Sequence, residues 1–198
     1  MKTQNKYFYL LIILTTLFFS TSLHPQYKID DYWLTKFEKS GYLETARYEE
    51  SIHYFKKFED VSEYVKMFSI GKSPQGRDIY CLVVSKEKAF TPESARKTGK
   101  PLLMIENGIH AGEIEGKDAS MILLREILVT KEKADYLNYC NLIIIPILSV
   151  DGHERVSKYN RINQNGPTEM GWRTTAQNFN LNRDWLKADA PETQYILK

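Results

Sequence analysis

The segment 107–113, with the sequence Asn-Gly-Ile-His-Ala-Gly-Glu, places His110 and Glu113 three residues apart between an apolar run and a helical pattern. One turn of the chain at that junction can direct an imidazole and a carboxylate at the same point. Zn²⁺ takes nitrogen and oxygen ligands, and a catalytic site with two His and one Glu leaves a fourth position for water. A His-x-x-Glu pattern also arises by chance in solvated loops. Here the flanking Gly108 and Gly112 allow close backbone approach or unusual dihedrals, and the end of a strand favours a site, so the segment predicts a metal site.

Two elements must position this pair. The apolar run 101–106 predicts a buried strand, and residues 115–130 carry apolar side chains at helical spacing, which predicts a helix. A second run, 141–148, is apolar without alternation, as expected of a strand covered on both faces. Pro146 is expected to mark its end or an irregularity. Strand, loop, helix and strand together predict an α/β sheet with helices on both sides.

The preceding part of the chain predicts further elements of the same domain. A short amphipathic helix is expected at 61–65. Ser73-Pro74-Gln75-Gly76 has proline at the second turn position and a glycine available for positive φ. The β-like residues on both sides, continuing to Ser85, predict a hairpin. The polar stretch 86–100 predicts a surface connection with about one helical turn.

The N-terminus predicts export. Lys2 and Lys6 form a basic region, residues 7–19 form a short apolar core, and residues 20–22 are small. This order is typical of a secretory signal peptide, and the core is short for a membrane span; an uncleaved N-terminal anchor is the alternative. We therefore expect a signal peptide at 1–22, an N-terminal extension or pro-segment at 23–60, and a secreted or periplasmic protein without a stable membrane span after cleavage.

Composition limits the remaining possibilities. The chain has 198 residues, enough for one domain. Its net charge is +2 and its lysines and arginines are scattered, so no basic stripe indicates nucleic acid. Cys81 and Cys140 each lie inside an apolar run and are expected to be buried free thiols. An oxidising compartment would also permit a disulfide between them.

Polar groups follow the second predicted strand. His153 and Glu154 are adjacent on a turn and are expected to diverge, so His153 is not predicted to be a metal ligand. Arg161 and the Asn182-Arg183 pair lie in asparagine-rich segments. Arginine can bind a carboxylate through two hydrogen bonds and asparagine adds neutral donors, which indicates a site for an anion or a polarised carbonyl. Surface ion pairs are the alternative for these arginines.

In chain order these motifs resemble the zinc metallocarboxypeptidase family. The resemblance is carried by residues spread over about 60–198: His110-Ala-Gly-Glu113 with Glu115-Gly116, Asp151-Gly152, Arg161, Asn182-Arg183 and the hairpin 70–77. It implies a mixed, mostly parallel sheet sandwiched by helices. It also implies hydrolysis of the C-terminal peptide bond of a peptide substrate.

The resemblance assigns roles to individual residues. His110 and Glu113 would be two zinc ligands, and zinc would activate water by lowering its pKa. Arg161, or alternatively the nearby Arg173, would polarise the scissile carbonyl and stabilise its oxyanion. The substrate's terminal carboxylate would be held by a neighbouring pair, Asn182 and Arg183.

Two departures from the family pattern are visible. Asn180 stands where the family often has Asp as partner of the first zinc histidine; it can accept a hydrogen bond but has no charge, which would weaken zinc binding. The family's third ligand, a histidine, and its general base, a glutamate, lie later in the chain, and no histidine follows Arg183.

Residues 189–192 predict a helix start, with Asp189 as cap, and the helix runs to Lys198 without a stop signal. We therefore expect an N-terminal part of the catalytic domain, with its sheet incomplete at the C-terminus.

Three functions are consistent with this pattern. The first is a secreted zinc carboxypeptidase, of which the chain is a fragment without useful catalysis by itself. The second is a zinc amidohydrolase of the deacylase type, acting on small acylated amino acids. The third is a non-catalytic peptide-binding protein that keeps the carboxylate-holding groups.

Overall fold

Four strands form one sheet in residues 29–198, the part of the chain that the computed structural model describes. The strands are β1 (Val65–Lys72), β2 (Asp78–Val84), β3 (Leu102–Glu106) and β4 (Asn141–Ile145), in the spatial order β1-β2-β4-β3. The predicted mixed α/β sheet is confirmed. Its parallel pairing is limited to β3 and β4, however, since β1–β2 and β2–β4 are antiparallel. A tight hairpin joins β1 to β2, and such a connection permits only antiparallel pairing.

Helices flank this sheet. The α-helices are α1 (Lys36–Lys39), α2 (Tyr48–Val61), α3 (Pro92–Lys97), α4 (Glu115–Leu128), α5 (Val150–Glu154) and α6 (Pro191–Ile196). Short 3₁₀ turns cover Asp31–Trp33, Ala134–Asn138 and Leu181–Arg183. None of the helices within 29–198 is long and apolar enough to cross a membrane. The predicted signal peptide, residues 1–22, lies outside the described residues.

Helix α2 corrects the prediction of a short helix at 61–65, because it ends at Val61 and β1 begins at Val65. Its aromatic side chains form a packed face: Phe55 and Phe58 are fully buried, and the ring of Phe58 stacks on Trp33 with centroids 5.3 Å apart. The expected boundary at residue 60 therefore lies within a packed helix. A pro-segment role for residues 23–60 stays a prediction.

The predicted hairpin is present. Ser73 N donates to Arg77 O at 2.8 Å, Gly76 N donates to Ser73 O at 2.8 Å, and Gly76 has φ of +83°. That positive φ is readily adopted only by glycine. Asp151, which lies beyond the end of β4, holds this turn to the rest of the domain. Its carboxylate is fully buried and accepts hydrogen bonds from Ser73 Oγ (2.8 Å), Gln75 N (3.0 Å) and Arg77 Nη1 (2.7 Å). In the connection that follows, α3 is the expected helical turn.

Strands β3 and β4 bring the candidate segment to one edge of the sheet. β3, β4 and α4 match the predicted elements within a few residues, and β4 ends immediately before Pro146. Backbone pairing continues past both strands, with Leu148 N donating to Asn107 O at 2.9 Å and Ser149 N to Gly108 O at 3.0 Å. The segment after β3 is therefore fixed against the segment after β4.

β3 lies at the edge of the described sheet. The exposed fractions of its residues Leu102, Leu103 and Met104 are 49%, 52% and 43%. An edge strand has unpaired backbone groups that can pair with another strand. The prediction of a buried strand at 101–106 is therefore wrong for these three residues, because β3 lies at the edge of the described sheet.

The C-terminal helix is capped differently from the prediction. The residue before α6 is Ala190, which has no capping side chain. The backbone N–H groups of Asp189 and Ala190 instead donate to the carboxylate of Asp184, each at 2.9 Å. Burial opposes ionisation of Asp184, but these hydrogen bonds outweigh it and lower its pKa. Asp189 is therefore not the cap, because a carboxylate farther back in sequence folds onto the same helix end.

The two cysteines are free, as expected, but only one is buried. Cys81 lies in β2, and burial raises the pKa of its thiol to about 11. Cys140 precedes β4 and is partly exposed, so the prediction of two buried thiols is wrong for this residue.

A buried ionisable cluster joins α4 to α5 and to the start of α2. His153 Nδ1 lies 2.9 Å from Glu154 Oε1, and His153 Nε2 lies 3.1 Å from Lys117 Nζ. Lys117 also donates to Ala46 O at 2.5 Å, and Glu154 accepts from Tyr48 N at 3.0 Å. The expectation that His153 and Glu154 diverge is therefore wrong, and the second ring nitrogen of His153 faces the Lys117 ammonium.

This cluster predicts a loss of stability in acid. Burial, followed by the charge of Lys117, lowers the pKa of His153 to about 4, while an unfolded histidine titrates near 6.5. The stabilising contribution is complete above pH 6.5 and is lost as the pH falls through 4. The free energy of unfolding should therefore fall by about 2 kcal/mol between about pH 6.5 and about pH 4.5 through this residue. Urea denaturation at a series of pH values should show that the free energy of unfolding of His153→Gln depends less on pH. The control variant, His53→Gln at an exposed histidine, should keep the slope.

Candidate metal centre

The turn after β3 brings His110 and Glu113 together. Gly108 has φ of +64° where the chain leaves the strand, and Glu113 N donates to His110 O at 2.9 Å, which closes the turn. His110 Nδ1 consequently lies 3.2 Å from Glu113 Oε1 and 3.3 Å from Oε2. The His110 side chain is almost fully buried and that of Glu113 is 43% exposed. The predicted pair thus points at one place that is open to solvent on the glutamate side.

The second nitrogen of His110 defines its tautomer. Nε2 lies 3.0 Å from Asn180 Oδ1, and an amide oxygen has no hydrogen to donate. Nε2–H is therefore the donor, and in the neutral ring Nδ1 presents a lone pair to the Glu113 carboxylate. In this tautomer, two groups that both accept hydrogen bonds face each other across the gap, and a cation between them would bind both.

The spacing fits zinc. Two ligand atoms at about 2.0–2.1 Å from a tetrahedral Zn²⁺ are about 3.3 Å apart, and the two contacts of His110 Nδ1 with the carboxylate are 3.2 and 3.3 Å. The donor set of one imidazole and one carboxylate is also suitable. Across residues 29–198, no group of three or more His, Cys, Asp and Glu is arranged to hold a metal ion. Among the described residues, His110 and Glu113 are therefore candidate ligands without a third His, Cys, Asp or Glu beside them.

Two arginines approach the same carboxylate. Arg161 Nη2 lies 2.9 Å from Glu113 Oε1 and Arg173 Nη1 lies 3.6 Å from it. Burial opposes ionisation of Glu113, but the hydrogen bond and the positive charge of Arg161 act against it, and the pKa of Glu113 is lowered. Arg161 Nη1 is buried and has no hydrogen-bond partner among the described residues. One donor of Arg161 is thus left for a ligand beside the candidate ligands.

Close backbone packing positions these arginines. A Cβ added to Gly112 would lie 2.8 Å from Gly171 O and 3.2 Å from Arg161 Cγ. Gln164, on the same loop as Arg161, donates to Gly112 O at 2.9 Å. Trp172 N donates to Gly152 O at 2.8 Å, which fixes the segment that carries Arg173. The glycine predicted to allow close approach does so, whereas the role of Gln164 had no recognisable sequence signal.

The remaining predicted residues lie on the 3₁₀ turn that follows Asn180. Both Asn182 and Arg183 are exposed, and Arg183 Nη1 donates to Asn182 O at 2.7 Å. They lie two and three residues from Asn180, which contacts His110. The structure brings His110, Glu113, Arg161, Arg173 and Asn180 together, and it leaves the side chains of Asn182 and Arg183 without contacts to that group.

Asn180→Asp is expected to tighten zinc binding about tenfold, because outer-shell partners of a ligating histidine typically change metal affinity 10–100-fold. A carboxylate at this position would still accept from His110 Nε2–H and would add a negative charge. Asn180→Leu, which keeps the branching at Cγ but has no acceptor, should weaken binding. Competition titration against a chromophoric chelator measures both. Equal affinities of all three proteins would contradict this role of Asn180.

The sequence model of the family described as zinc carboxypeptidase matches residues 52–195. Mouse (Mus musculus) carboxypeptidase M is 28% identical over 145 residues, covering 71% of this chain and 30% of the mouse protein. The chain therefore spans less than a third of that relative's length.

Solved structures show the same fold. Carboxypeptidase A from Helicoverpa armigera superposes with a TM-score of 0.58 at 21% identity, over 77% of this chain and 41% of its own. A metallo-carboxypeptidase from Pseudomonas aeruginosa superposes with a TM-score of 0.52 at 23% identity, over 76% and 36%. The strand–turn–helix that carries His110 and Glu113 lies inside the matched residues. On the family match and this fold, the chain belongs to the zinc carboxypeptidase family.

Proposed function

We propose that this protein is a zinc-dependent carboxypeptidase that removes C-terminal residues from peptides, with His110 and Glu113 as two of the zinc ligands. The observation that carries the proposal is that His110 Nδ1 faces the Glu113 carboxylate at 3.2 and 3.3 Å while His110 Nε2 lies 3.0 Å from Asn180 Oδ1. Zinc bound there would polarise the substrate carbonyl and activate water.

Arg161 is proposed to bind the oxygen of the scissile carbonyl. Its unpartnered Nη1 is a buried donor, and a positioned charge of this kind stabilises the negative oxygen that develops in the transition state. Arg173 is the alternative, since its guanidinium lies 3.6 Å from the same Glu113 oxygen and is more exposed, with a side-chain exposure of 42% against 16% for Arg161.

Asn182 and Arg183 are proposed to hold the free carboxylate of the substrate. Both side chains are exposed, and a guanidinium beside an amide suits a carboxylate. The Pseudomonas aeruginosa neighbour was solved with (2-guanidinoethylmercapto)succinic acid, whose succinic acid part carries carboxylates. A ligand of this class is a suitable probe for Arg183.

The third zinc ligand and the general base are proposed to come from sequence other than the described residues, which supply two ligands. The 198-residue chain alone is accordingly expected to show no useful peptidase activity. Residues 1–22 are proposed to direct export to the periplasm or the exterior. N-terminal sequencing of exported protein that still began at Met1 would contradict the cleavage.

The complete protein, expressed from the uninterrupted gene, tests the reaction. An N-acylated dipeptide with a free C-terminus should be cleaved, whereas the same dipeptide with a C-terminal amide should not. Arg161→Ala should lower kcat, and Arg183→Ala should chiefly raise KM. Cleavage of the amide at a similar rate, or faster turnover of small acylated amino acids as expected of a deacylase, would contradict the proposal.

A non-catalytic peptide-binding protein is the second candidate, favoured by the presence of only two candidate ligands in the described residues. The same assay separates the two. Carboxylate-dependent peptide binding without turnover by the complete, zinc-loaded protein would establish the second candidate.

A further inference from the structure

An apolar groove begins one residue after the candidate ligand Glu113. Its apolar lining comes from the segment after α1, from the start of α4 and from the loop that follows Arg161: Phe37, Tyr42, Leu43, Ile114 and Pro167. Its volume is about 480 Å³, within the usual range for small-ligand sites. Since consecutive Cα atoms are about 3.8 Å apart, Ile114 places this groove beside the candidate metal centre.

The backbone is strained where it directs side chains to the groove. After α1, Gly41 has φ of +66° and Tyr42 has φ of +71°, and Tyr42 N donates to Phe37 O at 2.8 Å. Left-handed backbone is unfavourable for a tyrosine and is typically retained where the surrounding structure or function requires it. The Tyr42 ring contacts that of Phe37 with centroids 5.0 Å apart, yet Tyr42 and Leu43 are 66% and 65% exposed. The turn thus presents two large apolar residues to solvent at the groove.

The opposite wall belongs to the loop that carries Arg161. Thr168 N donates to Leu43 O at 3.1 Å, which joins the segment after α1 to this loop. Gln164, from the same loop, donates to Gly112 O beside Glu113. The groove and the candidate metal centre therefore share the loop that carries Arg161, and Ile114 of the groove follows Glu113 directly in the chain.

The charges of the lining indicate what the groove accepts. Among the described residues that line it, Glu115 is the only charged one, so a free carboxylate would be repelled. The proposed carboxylate-holding residues, Asn182 and Arg183, are not part of the lining. A carboxypeptidase leaves only one residue beyond the scissile bond, so the rest of the peptide must extend in the other direction.

We propose that this groove binds an apolar or aromatic side chain of the substrate on the N-terminal side of the scissile bond. The inference rests on the proposed function, because only a peptide substrate has such a residue. It assigns the segment after α1 a role in substrate selection, with Tyr42 and Leu43 as the specificity-determining residues.

The test uses a probe that lacks a free carboxylate and needs no metal. N-acetyl-phenylalanine amide, titrated into the ¹⁵N-labelled chain, should shift the amide resonances of Tyr42, Leu43 and Ile114. Its half-saturation concentration should be at least about fivefold lower than that of N-acetyl-serine amide, as burial of a phenyl ring predicts. Tyr42→Asn, which tolerates the left-handed backbone but lacks the ring, should remove most of this preference.

Tyr139→Asn is the matched control, because Tyr139 is 72% exposed and lies outside the groove. Equal affinity for the two probes, or shifts confined to residues around Tyr139, would overturn the inference. If the chain bound the phenylalanine probe but did not bind zinc, the proposed function would be contradicted. The groove would then be a site for aromatic ligands unrelated to peptide hydrolysis. Zinc binding without a preference for the phenylalanine probe would leave the proposed function intact and overturn only the groove.

Discussion

His110→Ala is expected to lower the zinc affinity of the chain by more than about 100-fold. Loss of a residue that only hydrogen-bonds to a ligand typically lowers metal affinity by about 10–100-fold, and loss of a ligand should cost more. The reason is the direction of its ring: Nε2 lies beside Asn180 Oδ1, and Nδ1 is the ring nitrogen that faces Glu113. Alanine removes one of the two ligands that we propose among the described residues. Isothermal titration with zinc, or competition with a chelator, measures the change.

Two further variants sharpen this result. Glu113→Gln keeps the shape of the side chain but removes its charge, and it should weaken binding to a similar extent. His53→Ala removes an exposed histidine from α2 and should leave the affinity unchanged. If His53→Ala weakened binding as much as His110→Ala, the metal would be bound elsewhere.

Asp151→Ala is expected to lower the free energy of unfolding by about 3 kcal/mol, because it removes a buried charge that accepts three hydrogen bonds. Its side chain is fully buried and holds Ser73, Gln75 and Arg77 of the hairpin turn. Arg77 is 32% exposed and can be partly hydrated after the change, which keeps the cost below that of a fully buried unpaired charge. Urea denaturation followed by circular dichroism measures the loss.

The control for Asp151 is an exposed ion pair on the same protein. Glu63 pairs with Lys88 at 2.6 Å, with side-chain exposures of 66% and 49%. Glu63→Ala should change the free energy of unfolding by less than about 1 kcal/mol, as exposed pairs usually do. Comparable losses for the two variants would show that burial of Asp151 is not what stabilises the hairpin turn.

The elements that position the site could be predicted because their signals are local. The apolar runs became β3 and β4, the helical stripe became α4, and the glycines at 108 and 112 provided the positive φ and the close approach expected of them. The three-residue spacing of His110 and Glu113 was sufficient to bring both side chains together, since one turn of backbone connects them.

Features that depend on distant contacts could not be predicted in the same way. The helix expected at 61–65 forms earlier because aromatic residues such as Phe55 and Phe58 pack together in the folded domain. Asp184 accepts hydrogen bonds from the backbone just before α6, and His153 pairs with Lys117, which is 36 residues away in sequence. The balance of parallel and antiparallel pairs was also missed, because strand order is a property of the assembled sheet.

The most direct test of the central claim is zinc K-edge X-ray absorption of the zinc-loaded chain. One imidazole nitrogen and one carboxylate oxygen from the protein are expected at about 2.0–2.1 Å from the zinc, with solvent oxygen completing the shell. The imidazole signal should be lost in His110→Ala. A shell that contains sulfur, or an imidazole signal that persists in His110→Ala, would contradict the assignment of His110 and Glu113 as the zinc ligands.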